Sequence, residues 1–460
     1  MILAVDIGTS SMKGGLITDE GHLFSYHRIS FPSDVIRGDQ SFSTELWSQG
    51  FQEILENIGT DRITAVAISG NGPTMVAADK SGRPLTSALM WNRDYSDPEF
   101  QSSSYYLSRI NWLRKEDRSA YDKADYFLSC PEILYTQLTG RSVMVIPHRE
   151  YLPYVWSEDE LDRLGFRKDA FPELIDMGVP VAPVSEDAYL KTPLKPGTPV
   201  IACGSDFIAS LIGSGAVRPG RICDRAGTSE GINYCATAPS GDSRVRELPH
   251  ALEGFTNIAA ILSSTGTLFE WYRSLTGQEK NNYIETMKGV DSIPATQDHP
   301  FFFPSMKGEN LWEFSNGLFT MLDPSQGKFE LGRSVMEAIG FAVRRSLEIF
   351  EELDLPVKEL RISGGQAKSH VWNQMKADIT GKTMLIPEIE DAELLGCACL
   401  ASVALGRYDS ITAAVDSLVK IKHEIKPRAE YYEIYDRKYK RYREACSAVV
   451  SFYKDYPAVD

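Results

Sequence analysis

Several features that mark common classes of protein are missing from this sequence of 460 residues. Its seven cysteines form no Cys-x-x-Cys pair, and no histidine lies near them in zinc-ligand spacing, so we expect reduced thiols rather than disulfides or structural zinc. No apolar run approaches the roughly 20 residues of a membrane-spanning helix. The apolar run that starts the chain ends after Val5, which is too short for a signal peptide. These absences favour a cytoplasmic protein.

Positive charge is also scarce. Lys and Arg number 48 against 63 Asp and Glu, which gives a formal net charge of -15. No block of basic residues could follow a phosphate backbone, so nucleic acids and anionic membranes are poor partners. The hydrophobic share of 43% and the charged share of 24% are typical of a globular protein. Because 460 residues exceed what one hydrophobic core usually supports, we expect two domains.

The beginning of the chain has the pattern of three strands, a helix and a fourth strand. Short apolar runs at Ile2 to Ile7, Gly14 to Thr18 and Leu23 to Ile29 predict the three strands. Apolar residues at helical spacing between Thr44 and Ile58 predict the helix. The fourth strand is predicted at Ile63 to Ser69, so the order is β-β-β-α-β.

A second copy of this opening occurs near the middle of the chain. Four residues of the first opening are repeated in order and type; the pairs are Asp6 and Asp224, Gly8 and Gly227, Thr9 and Thr228, and Ser10 and Ser229. A repeat at this distance indicates duplication, with two related domains facing each other. The sequence Arg-Pro-Gly at 218–220 interrupts the chain after a small-residue helix. We therefore predict domains at 1–218 and 219–460.

The turn after the first strand has the composition of an anion-binding loop. Successive backbone N–H groups of a tight glycine turn can converge on an anion, and hydroxyl side chains add donors without bulk. An ordinary hairpin turn has the same composition, but the second copy favours phosphate binding. The predicted phosphate contacts are Thr9, Ser10, Ser11 and Lys13.

Asp6 closes the buried first strand immediately before this turn, where a carboxylate and a phosphate would repel each other. We predict that Asp6 holds a Mg²⁺ ion, through water, which bridges the carboxylate to the phosphate. A third acidic residue, Asp206, follows the predicted strand Val200 to Cys203 and starts a helix of small residues. An Asp in this position is most often an N-cap, whereas its place just before the domain boundary favours a catalytic role.

Five segments together resemble the FGGY family of carbohydrate kinases, which belongs to the sugar kinase, Hsp70 and actin superfamily. They are D-I-G-T-S-S-M-K from Asp6, G-S-D-F-I-A-S-L-I-G-S-G from Gly204, the Gly227-Thr228-Ser229 turn, S-G-G-Q-A-K-S-H-V-W-N-Q-M-K-A-D-I-T-G from Ser363, and E-L-L-G-C-A-C-L-A from Glu393. Weaker matches, closest to the xylulose kinase type, fill the gaps in family order. The resemblance implies an α/β protein of two ribonuclease H-like (actin-like ATPase) domains with a central cleft.

The resemblance further implies an ATP- and Mg²⁺-dependent kinase of a small sugar, foremost a ketose such as xylulose, or else of a polyol such as glycerol or erythritol. Asp206 would be the general base that accepts the proton of the attacking hydroxyl. Residues implied in the second half are Gly227, Thr228 and Gly266 at the phosphates, and Gly365 and Ser369 along the adenosine. The family is often dimeric. A nucleotide-binding sensor without transfer activity is the alternative of a different class.

The expected sugar pocket departs from the family pattern. Asn71-Gly72-Pro73-Thr74 stands where xylulose kinases typically carry Gln-Met-His-Gly and glycerol kinases carry Gln-Arg-Glu. Arg93 and Tyr95 stand where the xylulose kinase pattern has Asp and Arg, and Phe207 replaces a polar residue that often follows the catalytic Asp. The predicted substrate contacts are Asn71, Gly72, Asp206 and Phe207, although an Asn before Gly is equally a turn former. The resemblance to xylulose kinases and glycerol kinases therefore does not identify the sugar.

Overall fold

The structure is a computed structural model that describes residues 1–32, 42–297, 299–304 and 317–455. Its strands, numbered in chain order, are β1 (Ile2–Ile7), β2 (Ser11–Ile17), β3 (Leu23–Ser30), β4 (Ala65–Gly70), β5 (Val76–Ala78), β6 (Tyr126–Leu128), β7 (Val143–Ile146), β8 (Glu173–Asp176), β9 (Pro180–Pro183), β10 (Pro199–Ser205), β11 (Ile222–Ala226), β12 (Glu230–Ala236), β13 (Arg246–Pro249), β14 (Thr256–Leu262), β15 (Phe301–Phe303), β16 (Leu318–Thr320), β17 (Glu359–Ser363), β18 (Thr383–Pro387) and β19 (Ile421–Ile425).

The α-helices are α1 (Glu45–Ile58), α2 (Leu107–Glu116), α3 (Arg118–Lys123), α4 (Cys130–Thr139), α5 (Glu158–Leu164), α6 (Glu186–Tyr189), α7 (Asp206–Gly213), α8 (Thr265–Leu275), α9 (Tyr283–Asp291), α10 (Lys328–Glu352), α11 (His370–Thr380), α12 (Ala392–Ala404), α13 (Ile411–Leu418) and α14 (Ala429–Asp455). Short 3₁₀ helices occur at Arg149–Tyr154, Lys168–Ala170 and Gly365–Lys368. Within the described ranges, no helix combines the length and the apolar character needed to span a membrane.

The chain forms two compact units. The first contains Met1–Val217, Pro249–Gly254 and Asp391–Lys420, and the second contains the remaining segments from Arg218 onward. The change from one unit to the other after Val217 lies close to the predicted boundary. The segments 249–254 and 391–420 lie in the first unit, whereas the sequence alone assigned them to the second domain.

The first unit is built on a six-stranded sheet in the order β3-β2-β1-β4-β10-β9. Strand β1 is antiparallel to β2 and parallel to β4, and β10 is parallel to β4. All six residues of β1 are buried, as expected for a central strand with an apolar sequence. The predicted order of three strands, a helix and a fourth strand is confirmed by β1, β2, β3, α1 and β4.

The second unit repeats this arrangement in a seven-stranded sheet, β13-β14-β12-β11-β17-β18-β19. Strand β11 is antiparallel to β12 and parallel to β17, as β1 is to β2 and β4. Helices α10 and α11 contribute to the apolar core of this unit, in which the large side chains of Phe269 and Trp372 are buried. The common order of strands confirms the duplication predicted from the sequence.

One predicted helix is divided. The motif that starts at Ser363 predicts a helix that opens at Gly364-Gly365 and runs through Trp372 to Ile379, but a 3₁₀ turn at Gly365–Lys368 precedes α11. The division occurs because the Ser369 side chain accepts a hydrogen bond from the backbone N–H of Trp372 and so starts a new helix. Helix α11 ends at Gly381 in the left-handed conformation. The Thr-Gly-Lys-Thr segment at 380–383 is therefore a helix stop and not a phosphate loop.

Two glycines allow α12 to pack directly on α7 in the first unit. A Cβ atom on Gly213 would lie 1.8 Å from the carbonyl oxygen of Ala392. A Cβ atom on Gly396 would lie 1.9 Å from the carbonyl oxygen of Ala209. Only glycine permits backbones to approach so closely. This packing carries the start of α12, a late segment of the chain, to the sheet that holds the turn between β1 and β2.

Candidate active site

The first of the two turns predicted to bind phosphate joins β1 to β2. Two of its hydroxyl residues are partly exposed. The backbone N–H of Gly8 donates to the carbonyl of Ser11 at 2.9 Å, which closes the turn. Thr9 and Ser10 are partly exposed, and Thr9 Oγ1 accepts a hydrogen bond from Trp91 Nε1 at 2.8 Å. The predicted contact Ser11 is buried in β2. Thr9 and Ser10 are thus the hydroxyl residues of this turn best placed to meet a ligand.

Lys13 stands among three carboxylates. Its Nζ lies 3.0 Å from Asp391 Oδ1, 3.8 Å from Asp6 Oδ2 and 3.8 Å from Glu393 Oε2, and its side chain is 17% exposed. Burial alone would lower the pKa of Lys13, but the charges of Glu393, Asp6 and Asp391 outweigh it and hold that pKa above its ordinary value. With one ammonium and three carboxylates, the ionised cluster carries two negative charges in excess.

This cluster fits the predicted magnesium site in its chemistry. Asp6 Oδ1 accepts a hydrogen bond from Ser69 Oγ at 3.0 Å, which orients the carboxylate at the head of the phosphate turn. Among the described residues no group of three or more ligating side chains is arranged to hold a metal ion directly. Mg²⁺ commonly retains several waters and uses one or two carboxylates together with phosphate oxygens. The residues around Asp6 therefore suit a hydrated ion that arrives with a nucleotide.

Asp206 is the first residue of α7, at the end of β10. Ser205 is the N-cap, because its side chain accepts from the backbone N–H of Phe207 at 3.3 Å; the N-cap interpretation of Asp206 is therefore wrong. The pairing of β10 with β4 shifts between Ala202 and Gly204, and Gly204 has a φ of +69° that favours glycine. Asp206 is 9% exposed and Phe207 is half-buried.

The sheet brings the predicted residues of the first unit to one edge. Strands β1, β4 and β10 are parallel neighbours, and Asp6 is opposite Ser69, which is opposite Gly204. Because the carboxyl ends of parallel strands meet at the same edge, the phosphate turn, the loop after β4 and Asp206 lie at that edge. Sequence reasoning named these residues separately, and the strand register unites them.

The loop after β4 uses the polar groups of Asn71 internally. Asn71 Nδ2 donates to the carbonyl of Ile7 at 3.0 Å, and its Oδ1 accepts from Thr74 Oγ1 at 2.5 Å. These bonds fit the turn-forming alternative, while a substrate contact by Asn71 stays a prediction. The hydroxyl of Tyr106 lies 3.7 Å from the point that a Cβ atom on Gly72 would occupy. The Gly72 backbone therefore faces a phenolic hydroxyl at this edge.

The second phosphate turn joins β11 to β12 and is braced by a helix. The N–H of Gly227 donates to the carbonyl of Ser229 at 2.8 Å, and the N–H of Gly266 donates to the carbonyl of Thr228 at 3.0 Å. A Cβ atom on Gly266 would lie 2.0 Å from the carbonyl oxygen of Gly227. The second unit thus brings together Gly227, Thr228 and Gly266, as the resemblance implied.

Gly365 and Ser369 flank the 3₁₀ turn after β17. A Cβ atom on Gly365 would meet nothing within 4 Å, so space beside this backbone is open. The Ser369 hydroxyl oxygen is already the N-cap acceptor of α11. Contacts of both residues with adenosine stay predictions.

Asp224 has a different environment from its counterpart Asp6. Its Oδ2 lies 2.8 Å from Lys376 Nζ, which also bonds Glu230, and all three side chains are fully buried. Burial, followed by the charge of Asp224, raises the pKa of Glu230 above its usual range. These three side chains form an internal ion cluster, and they do not offer a surface to a phosphate.

Sequence reasoning assigned no role to several residues of the site. Arg109, on the buried face of α2, was not singled out. Glu393 begins a quoted motif and Trp91 lies two residues before Arg93, but neither received a function. The other residues without an assigned role are Tyr106 and Asp391, which only the tertiary structure brings to the site.

Comparison with known proteins agrees with this architecture. Residues 1–104 match the N-terminal domain model of the FGGY family of carbohydrate kinases, and residues 225–405 match the C-terminal domain model. A xylulose kinase of Bacillus subtilis (strain 168) is 22% identical, with 99% of each chain covered. A gluconokinase of the same organism is 24% identical, with 91% of this chain and 90% of the relative covered. The crystal structure of a xylulose kinase from Brucella ovis has a TM-score of 0.81 at 21% identity, covering 98% of this chain and 99% of that one.

Proposed function

Because the chain belongs to the FGGY family of carbohydrate kinases, we propose that it transfers the γ-phosphoryl group of ATP to a hydroxyl of a small sugar, with Asp206 as the general base. The observation that carries this proposal is the common sheet edge of the first unit. There the strand register joins a phosphate turn, the carboxylate of Asp6 and the carboxylate of Asp206.

In the proposed reaction, the acceptor hydroxyl oxygen forms a bond to the γ-phosphorus while the bond from that phosphorus to the β,γ-bridging oxygen breaks. ADP leaves with the bridging oxygen, and the hydroxyl proton passes to Asp206. The position of Asp206 in the first turn of α7 favours the ionised carboxylate that this role requires, because the helix dipole stabilises negative charge there. Phe207 would border the acceptor and limit water.

Nucleotide binding is assigned to both units. In the first unit, Lys13 and the turn residues Thr9, Ser10 and Ser11 would contact phosphates. In the second unit, the contributions would come from Gly227, Thr228 and Gly266 at the phosphates, and from Gly365 and Ser369 at the adenosine. Asp6 would hold Mg²⁺ through water, and that ion, when bound, neutralises charge on the transferring group.

The neutral acceptor that we test first is a ketose such as xylulose, since a xylulose kinase aligns with 99% of this chain. Polyols of the glycerol or erythritol type are the alternative. Gly72 and Asn71 of the loop after β4 would border the acceptor.

The test is ADP release over a panel of pentuloses, hexuloses, polyols and sugar acids. Asp206→Ala should retain ATP binding and lose at least about 100-fold in kcat, because the proposed proton acceptor is removed. Asp187→Ala, which changes an exposed Asp of α6, is the matched control and should match the unchanged protein.

Two results would contradict the proposal. Turnover by Asp206→Ala within tenfold of the unchanged protein would remove Asp206 from the chemistry. ATP binding without ADP release on any acceptor would instead support a nucleotide-binding sensor without transfer activity.

A further inference from the structure

Arg109 is a buried cation without an acidic partner. Its side chain lies on the buried face of α2, and the residue is only 8% exposed. Among the described residues no carboxylate lies within 4 Å of its guanidinium, and its Nε is buried without any hydrogen-bond partner. A buried charge is costly unless an opposite charge accompanies it. We therefore expect the charge of the guanidinium to be compensated by an anion from outside the chain.

The two backbone hydrogen bonds of Arg109 use only part of its donor capacity. Nη1 donates to the carbonyl of Tyr105 at 2.5 Å, and Nη2 donates to the carbonyl of Trp91 at 2.9 Å. A guanidinium has five N–H hydrogens, so three remain after these two bonds, including the one on Nε. Backbone carbonyls fix the orientation of the group but do not neutralise it. A carboxylate could take the remaining hydrogens in the two-pronged manner typical of arginine.

Arg109 is linked to the candidate active site through Trp91. The indole Nε1 of Trp91 donates to Thr9 Oγ1 in the first phosphate turn at 2.8 Å, and the backbone N–H of Trp91 donates to Thr74 Oγ1 at 3.2 Å. Thr74 in turn bonds Asn71 in the loop after β4. The guanidinium thus lies one residue away from both the phosphate turn and the predicted acceptor loop.

The positive charge of Arg109 acts on an aromatic residue beside it. The guanidinium lies over the ring of Tyr95, 5.2 Å from its centroid. Burial raises the pKa of the Tyr95 hydroxyl, and the positive charges of Arg93 and Arg109 oppose that rise. Arg93 occupies a position where the xylulose kinase pattern has an acid, so the local charge is shifted toward positive.

A second hydroxyl connects Arg109 with the general base. The hydroxyl of Tyr106 lies close to Gly72, as described above. Burial raises its pKa, and the charges of Glu132, Cys130 and, last, Asp206 add to the rise, while the charge of Arg109 opposes it. One phenol is therefore within electrostatic range of both the unpaired guanidinium and Asp206. An acceptor bordered by Gly72 and Asp206 would extend toward Arg109.

We propose that Arg109 binds a carboxylate of the acceptor, which makes the substrate a sugar acid, an aldonate or its keto form, rather than a neutral sugar. The inference rests on the proposed function, because it concerns the acceptor of the same transfer. The carboxylate is bound and does not react, and a hydroxyl elsewhere on the molecule is phosphorylated. A keto acid satisfies both this inference and the preference for a ketose.

The experiment compares acceptors that differ only in the charged group. D-gluconate and D-glucitol are one such pair, and D-xylonate and xylitol are another, with xylulose as the neutral ketose. The unchanged protein should show a kcat/KM at least about 30-fold higher for the acid of each pair, as expected for a charge-assisted pair of hydrogen bonds.

Variants of Arg109 assign that preference to the guanidinium. Arg109→Gln should lower kcat/KM for the acids by at least about 30-fold, chiefly through KM, while neutral acceptors change by less than about threefold. Arg109→Lys should restore part of the preference, because it keeps the charge. Arg114→Gln is the matched control, since Arg114 lies on the same helix and donates to the carbonyls of Leu164 and Gly165.

The outcomes separate this inference from the proposed function. ADP release that is faster with xylulose or the alditols than with the acids would overturn the sugar-acid inference and leave the kinase intact. An equal loss on acids and neutral acceptors in Arg109→Gln would show a structural role only. If Arg109→Gln does not fold, as judged by its melting temperature, two other measurements test the inference. They are the preference of the unchanged protein for acids and that of Arg109→Lys. No ADP release with any acceptor would contradict the proposed function itself.

Discussion

Asp6 and Asp224 occupy equivalent strand ends in the two units, and each has a lysine as its partner. The Lys13 side chain beside Asp6 is 17% exposed and is shared with Asp391 and Glu393. The Lys376 side chain beside Asp224 is 1% exposed. The first ion cluster thus borders solvent with excess negative charge, whereas the second lies inside the protein.

The difference shows that a duplicated sequence pattern does not carry a duplicated function. Both units keep the strand order and a tight turn, although the N–H of Gly8 donates to the carbonyl of Ser11, three residues on, and the N–H of Gly227 to that of Ser229, two residues on. The charge at the strand end has a different environment in each unit. A cluster whose lysine and Asp391 border solvent can exchange partners with a ligand, but a fully buried trio can only hold its own strands and helix together. We therefore expect substitutions to affect activity in the first unit and stability in the second.

The largest expected effect is on Lys376. Lys376→Met removes the cation that is paired with Asp224 and Glu230, which leaves a buried carboxylate uncompensated. The free energy of unfolding of the second unit should fall by about 3–5 kcal/mol. Calorimetry on the purified protein measures this, with Lys280→Met, an exposed site in the same unit, as the control. A melting temperature unchanged by Lys376→Met would show that the trio is not a structural ion pair.

The next effect is on Lys13. Lys13→Met should lower kcat/KM for ATP by at least about 100-fold, as expected when a preorganised charge is lost from a phosphoryl-transfer site. The melting temperature should fall less than in Lys376→Met, because Lys13 and Asp391 border solvent, although Asp6 and Glu393 are buried. Lys191→Met, at an exposed position of the same unit, should leave both quantities unchanged. If Lys13→Met destabilised the protein as strongly as Lys376→Met, the contrast between the two units would be lost.

The sequence predicted much of the fold because the signals for strands, helices and turns are local. The opening strands, α1 and the small-residue helix α12 all follow from apolar spacing and glycine. The site was predicted where one motif supplied its own neighbours, as at Gly8 to Ser11. It was missed where partners come from distant segments. No local pattern states that Asp391 meets Lys13, or that Lys376 on α11 neutralises the end of β11.

The same limit explains the wrong N-cap interpretation and the overlooked guanidinium. Whether Ser205 or Asp206 caps α7 depends on the bulge in β10, which is set by its pairing with β4. Whether Arg109 has an acidic partner depends on every side chain packed around α2. Propensity describes a residue and its near neighbours, but compensation of a buried charge is a property of the three-dimensional surroundings.

The smallest expected change in melting temperature, and the one that refines the comparison most, is that of Glu230→Gln. The raised pKa of Glu230 means that the folded protein holds this proton more tightly than the unfolded chain. That contribution to stability is complete at low pH and is lost as the pH rises through the raised pKa. Glu230→Gln has a neutral side chain at every pH, as the protonated acid does. We therefore expect the variant to melt within about 2 °C of the unchanged protein at pH 6.

As the pH is raised toward 9, the melting temperature of Glu230→Gln should rise above that of the unchanged protein, because only the unchanged protein must hold a second buried carboxylate beside Asp224. Melting curves of both proteins at several pH values measure this difference. Glu279→Gln, an exposed site in the same unit, should track the unchanged protein at each pH. A variant that is strongly destabilised at pH 6 would mean that Glu230 is ionised there and that Lys376 requires both carboxylates. In that case the buried trio would carry excess negative charge, as the cluster around Lys13 does, and only the partial exposure of Lys13 and Asp391 would distinguish the two clusters.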